Sequence, residues 1–229
     1  MRSKTACAAI IAAALLNSAA TSAIAQTPQI NALTFKLWLA EAERGDAMAQ
    51  YLAGFMYVRG EGVAQNLTEA ARLLRASAEQ GNANAQWGLG TLYELGFGVE
   101  KDYAEAFRLY GLAAPRGVVE AQTNLGLFYL EGVGTEQNFE EAYRWLRVAS
   151  RQGLAEAQTG LGTMYENGLG VERDAVKAYV WYSLAAETGA KNAPAERRDL
   201  LATTMTQDEV ERARDMARTC VESNFNDCN

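Results

Sequence analysis

The sequence predicts an all-α solenoid of antiparallel helix hairpins. Three observations carry that prediction: a 36-residue period, two helix-forming segments in every period, and glycines at fixed offsets around them. Gly45, Gly81, Gly117, Gly153 and Gly189 stand 36 residues apart, and Gly54, Gly90, Gly126 and Gly162 keep the same step. So do Gly60, Gly96, Gly132 and Gly168, and Gly62, Gly98, Gly134 and Gly170. Tyr57, Tyr93, Tyr129 and Tyr165 form a further column, and Gln50, Gln86, Gln122 and Gln158 another. Several four-fold columns in phase are not chance. The repeats run over about 46–81, 82–117, 118–153 and 154–189.

The first helix of a period, near 47–58 in repeat one, sets Ala49, Ala53, Met56 and Tyr57 on one apolar stripe. Gly60 and Gly62 then end it, because two glycines so close make continued helix costly. The second helix opens at the N-cap residues Asn66, Asp102, Asn138 and Asp174. Glu69, Glu105 and Glu141 follow three positions later, a capping-box arrangement that Lys177 breaks in repeat four. It closes at the glycine column that starts with Gly81, a left-handed helix end. Short connections make the two helices antiparallel.

The glycine inside each first helix costs about 1 kcal/mol against alanine. Close approach of the paired helix would offset that, with Leu73, Leu109, Trp145 and Trp181 as the expected bulky partners. Residues 31–45 form an N-terminal cap, in which Leu37, Trp38 and Ala42 fall in register with Leu73, Leu74 and Ala78. Residues 190–229 form the C-terminal cap, with helices expected over Ala195 to Leu201 and Asp208 to Cys220. Capped ends are what a repeat array needs.

Residues 1–25 are set apart from this pattern. Arg2 and Lys4, the apolar run Ala8 to Leu16 and the small-x-small end Ala23-Ile24-Ala25 have the order of a secretory signal peptide. The repeat array therefore occupies 26–229, and the expected location is periplasmic or secreted. Loss of Arg2 and Lys4 moves the net charge from −7 to −9. An acidic chain with no basic run argues against nucleic acid or an anionic membrane as partner, and no later segment is apolar enough for membrane insertion. After cleavage the remaining cysteines are Cys220 and Cys228, an even pair that in an oxidising compartment is read as a disulfide.

The run A-x-A-Q-x-x-L-G-x-x-Y-x-x-G-x-G-V, followed by Asn or Asp and then Glu-Ala, is best seen in 85–117 and 155–189. It resembles the Sel1-like repeat, a relative of the tetratricopeptide repeat, over about residues 31–200. The resemblance implies a right-handed superhelical solenoid and an adaptor or regulatory role, with the first helices lining a concave groove. Counted from the interior glycine, the groove positions include Met48, Tyr51, Phe55, Val58, Trp87, Thr91, Thr123 and Leu127. This stripe is aromatic and apolar in the first two repeats and turns to threonine and glutamate later, so it is expected to face solvent or partner. The partner class is a protein or peptide of the cell envelope; the oligomeric state stays open.

Catalysis finds little support. Histidine is absent, which removes the usual general base and most zinc sites. There is no C-x-x-C anywhere and no S-x-x-K after residue 25. The expectation is a non-enzyme with no cofactor and no metal. The alternative is a cell-envelope protein that binds or hydrolyses peptidoglycan or β-lactams. Some secreted members of the resembled family bind β-lactams and carry in each repeat a cysteine pair spaced like Cys220 and Cys228. Here that pair lies outside the four repeats, which hold no cysteine.

Overall fold

A computed structural model describes residues 28–189, 193–223, 225 and 228. Its helices are α1 (Pro28–Glu43), α2 (Ala47–Arg59), α3 (Leu67–Glu79), α4 (Ala83–Leu95), α5 (Tyr103–Ala113), α6 (Val119–Glu131), α7 (Phe139–Ser150), α8 (Ala155–Asn167), α9 (Ala175–Glu187), α10 (Ala193–Ala202) and α11 (Gln207–Glu222). A 3₁₀ turn, Ala114–Arg116, follows α5. There is no strand among the described residues. The signal-peptide segment 1–25 lies outside them. The chain forms two compact units, one ending at Val118 and one starting at Val119. Each unit contains two repeats.

In the first unit α2 pairs with α3 and α4 with α5, with α1 packed on α2. In the second unit α6 pairs with α7 and α8 with α9, and both α10 and α11 pack on α9. The hairpin ends follow the expected residues. Asn66, Asp102, Asn138 and Asp174 each accept a hydrogen bond from the backbone N–H three residues on. The reciprocal half of the capping box is not made there. The N-cap N–H of each donates instead to the carbonyl of Tyr57, Tyr93, Tyr129 or Tyr165. That frees Glu69, Glu105 and Glu141 to pair with Arg72, Arg108 and Arg144 one turn along. Among the described residues a complete capping box forms only at Thr206 and Glu209, at the start of α11.

The interior glycines meet the paired helix, but one residue later than the sequence suggested. A Cβ on Gly54 would lie 3.0 Å from Leu74, on Gly90 2.8 Å from Tyr110, on Gly126 2.8 Å from Leu146, and on Gly162 2.7 Å from Tyr182. The nearest contacts are therefore Leu74, Tyr110, Leu146 and Tyr182; of the expected partners Leu73, Leu109, Trp145 and Trp181, Leu109 alone comes close, at 3.3 Å from a Cβ on Gly90. One residue is 100° of helix rotation, enough to move a side chain to the next groove. Leu73 instead joins Phe35, Ala42, Ala49 and Ala53 in a core between α1, α2 and α3.

The glutamine column is structural. Gln50, Gln86 and Gln158 are buried and donate to the carbonyls of Ala42, Ala78 and Ser150, in the helix before each. From the helix after, Gln80, Gln152 and Thr188 donate to the side-chain oxygens of Gln50, Gln122 and Gln158. Each completed amide thus ties three helices, with hydrogen bonds of about 1 kcal/mol each. Repeat two breaks the series. Its equivalent donor, Arg116, goes to the Gly81 carbonyl, and Gln86 Oε1 is left buried without a partner.

The ends differ. On α1, Phe35 is buried edge-on against Tyr57, whereas Leu37 is exposed although its register mate Leu73 is core. No helix precedes α1 among the described residues to cover Leu37. At the other end Cys220 and Cys228 are joined in a disulfide and buried with Ala213, Ala217 and Val180.

Candidate partner-binding face

The eight positions read from the sequence divide into two groups. Met48 is 50% exposed, and Tyr51, Phe55 and Leu127 are half-buried. Val58, Trp87, Thr91 and Thr123 are buried, so the solvent exposure expected of the stripe is not met there. First helices of successive repeats touch, α2 with α4 and α6 with α8, and so cover part of the stripe. Threonine tolerates this because its hydroxyl can bond to its own helix. Thr91 donates to the Trp87 carbonyl, and Thr123 to the Val119 carbonyl. A Cβ on Gly160 of α8 would lie 3.5 Å from Leu127. Val58 belongs to the core built on Leu74, Leu89 and Leu92.

Met48, Tyr51 and Phe55 remain together on α2. Spacings of three and four residues place them along one helix face. The Tyr51 and Phe55 rings lie 5.9 Å apart at 37°. One turn further, the Arg59 guanidinium stands 4.5 Å from the Phe55 ring centroid and pairs with Glu61 at 3.2 Å. A cation over an aromatic face holds the ring in one orientation. Sequence reasoning missed Arg59, although its place four residues after Phe55 is the signal that finds it.

The polar groups of the even repeats are engaged in the structure. In repeat two, Glu94 is 3% exposed and accepts the Tyr110 hydroxyl at 2.6 Å. In repeat four, Glu166 accepts the Tyr182 hydroxyl at 2.6 Å and the Arg197 guanidinium of α10 at 2.6 Å. Burial, aided by the bond to Glu166, pushes the Tyr182 hydroxyl up to about 12. Burial and the Tyr143 hydroxyl likewise raise Tyr165. These shifts hold phenols neutral and do not prepare a base near neutral pH. Among the described residues no three His, Cys, Asp or Glu side chains converge as metal ligands. No described helix is long and apolar enough to cross a membrane.

The comparisons agree with this architecture. The Sel1 repeat family model matches residues 47–82, 83–117, 119–154 and 155–189. A search of curated proteins finds no match. Among solved structures, the Sel1 repeat protein from Oxalobacter formigenes is 34% identical, with 71% of this chain and 67% of that one covered and a TM-score of 0.64. The protein c5321, a protective antigen present in uropathogenic Escherichia coli strains and displaying an SLR fold, is 41% identical with a TM-score of 0.63. That match covers 68% of this chain and only 33% of the antigen, so this chain spans about a third of its length. Repeats of this kind are generally protein-interaction modules, and by its four matched repeats and its hairpin geometry the chain belongs to the Sel1 repeat family.

Proposed function

We propose that this chain is an exported protein-binding module that receives its partner, a protein or peptide of the cell envelope, on the face of α2 carrying Met48, Tyr51 and Phe55. The observation that carries the proposal is a contrast within the chain. The scaffold residues repeat, whereas the half-open aromatic stripe of α2 is replaced by Glu120, Thr123 and Leu127 on α6. A residue needed only for packing would be under the same constraint in both places. Half-exposed, pre-oriented aromatic rings bury large area at low entropic cost, which is the chemistry of binding hot spots. Val58, on the same helix, is buried in the core of the first unit and anchors α2 there.

Export is supported by the basic, apolar and small-residue order of 1–25 and by the closed Cys220–Cys228 disulfide, a bond suited to an oxidising compartment. The test is capture of partners from a periplasmic extract by the mature chain, with Tyr51→Ala and Thr159→Ala variants alongside. One stoichiometric protein is expected with the parent and with Thr159→Ala, and loss of it with Tyr51→Ala. Equal recovery by all three would contradict the assignment of the α2 face.

A further inference from the structure

We propose that α1 is a self-association surface on which a second copy of this chain docks its own α1, antiparallel and about a two-fold axis. Leu33, Leu37 and Ala40 all face outward on α1, the first two 68% and 59% exposed. Their spacings of four and three residues draw one apolar seam along the helix, the pattern of a helix that packs on another helix. The opposite side of α1, with Phe35 and Ala42, is already used against α2 and α3. Exposed apolar side chains in a continuous seam, unlike scattered ones, mark a contact.

The residues flanking the seam identify the occupant. Lys36 and Glu43 are both exposed, seven residues apart on the same side of the seam, and neither has an ion-pair partner among the described residues. In an antiparallel pair of identical helices that flank meets its own copy in reverse order. Lys36 of each copy then lies beside Glu43 of the other, twice by symmetry, when Leu37 stacks on Ala40. A parallel pair would turn that flank toward the opposite flank of the other copy, so Lys36 and Glu43 would not meet. The seam is thus complementary to itself in one orientation, which is what a two-fold contact requires. The last described helix is charged where α1 is apolar. This helix, α11, covers α9 and presents Glu211, Arg212, Asp215 and Arg218 outward. A single 16-residue helix is about 24 Å long, so the contact is a small one and the dimer a weak one.

The test is sedimentation of the mature chain across a concentration series reaching the high micromolar range. A monomer–dimer equilibrium with a dissociation constant on the order of 100 µM is expected. Leu37→Glu should abolish it without altering helicity, because Leu37 is exposed. Lys36→Glu and Glu43→Lys should each weaken it about tenfold, since two attractive pairs become two repulsive ones. An equimolar mixture of those two variants should recover parental affinity, because each then supplies the charge that the other lacks. A parent that stays monomeric throughout, a dimer indifferent to Leu37→Glu, or a mixture that fails to recover would overturn the proposal.

Discussion

The unit ending at Val118 and the unit starting at Val119 have the same internal skeleton at a spacing of 72 residues. Gly54 meets Leu74 as Gly126 meets Leu146, and Gly90 meets Tyr110 as Gly162 meets Tyr182. Thr91, Glu94 and Tyr110 form a hydroxyl–carboxylate clip that recurs as Thr163, Glu166 and Tyr182. Even the second glycine of the even repeats recurs, with Gly88 beside Leu74 and Gly160 beside Leu146. The structural period is therefore two repeats, deeper than the 36-residue step of the glycine columns. Against that background the units differ in three respects. The first carries Tyr51, Phe55 and Arg59 where the second carries Thr123, Leu127 and Glu131. The first caps α2 and α4 with Asp46 and Asn82, whereas α8 begins at Leu154 with no side-chain cap. The second alone ends in a disulfide. Positions that repeat are set by packing, and those that diverge are free to serve a partner or to finish an end.

The glycine contacts provide the strongest test of the shared skeleton. Gly54→Leu and Gly126→Leu should each cost about 3 kcal/mol, at the upper end of overpacking, because even a methyl group meets Leu74 or Leu146 at 3.0 Å or less. Glu140→Leu, on the exposed face of α7, should be close to neutral in the same urea titration. A parent-like midpoint for either glycine variant would remove close helix approach as the reason for that glycine. Replacing both Cys220 and Cys228 by serine should cost about 2.5 kcal/mol through the loop entropy returned to the unfolded chain. An unchanged midpoint would show that the disulfide closes the second unit without stabilising it.

The clip distinguishes the units more finely. Tyr110→Phe removes the hydroxyl bound to a buried carboxylate, Glu94, and should cost about 1–2 kcal/mol. Tyr182→Phe should cost less than about 1 kcal/mol, since Glu166 is more open and keeps Arg197. Equal costs would mean that the two clips are equivalent despite their different burial. Tyr182 also makes a pH prediction. Its folded pKa, about 12, lies above the ordinary 10, so its contribution to stability is full below pH 10 and is lost as pH rises toward 12. Stability measured from pH 9 to 12 should fall more steeply for the parent than for Tyr182→Phe. Parallel profiles would contradict the shift.

Helix limits, caps and hairpin pairing were legible in the sequence because glycine and the Asn/Asp N-caps act locally, through φ and through one side-chain bond. The glycine partner was misplaced by one residue for a longer-range reason. Leu73-Leu74, Leu109-Tyr110, Trp145-Leu146 and Trp181-Tyr182 are pairs of adjacent bulky residues, and helix crossing, not composition, selects which one enters the groove. The stripe proposed for partner binding was half legible. Its change of character along the chain was read as exposure, but Thr91 and Thr123 are buried with their hydroxyls bonded back to their own helices. A polar column can therefore be a core column when it is threonine on a helix. The glutamine column was visible as a repeat, but its three-helix tie depends on a carbonyl acceptor eight residues before and a donor thirty after, which no local pattern shows.

The most direct test of the α2 face is the affinity of the captured partner for Tyr51→Ala and Phe55→Ala, set against Thr123→Ala and Leu127→Ala at the equivalent positions of the second unit. Titration calorimetry on folded variants, checked by circular dichroism, should show a loss of more than about 2 kcal/mol for each aromatic change and less than about 1 kcal/mol for each of the others. Equal losses in the two units, or none in either, would contradict an assignment of partner binding to α2.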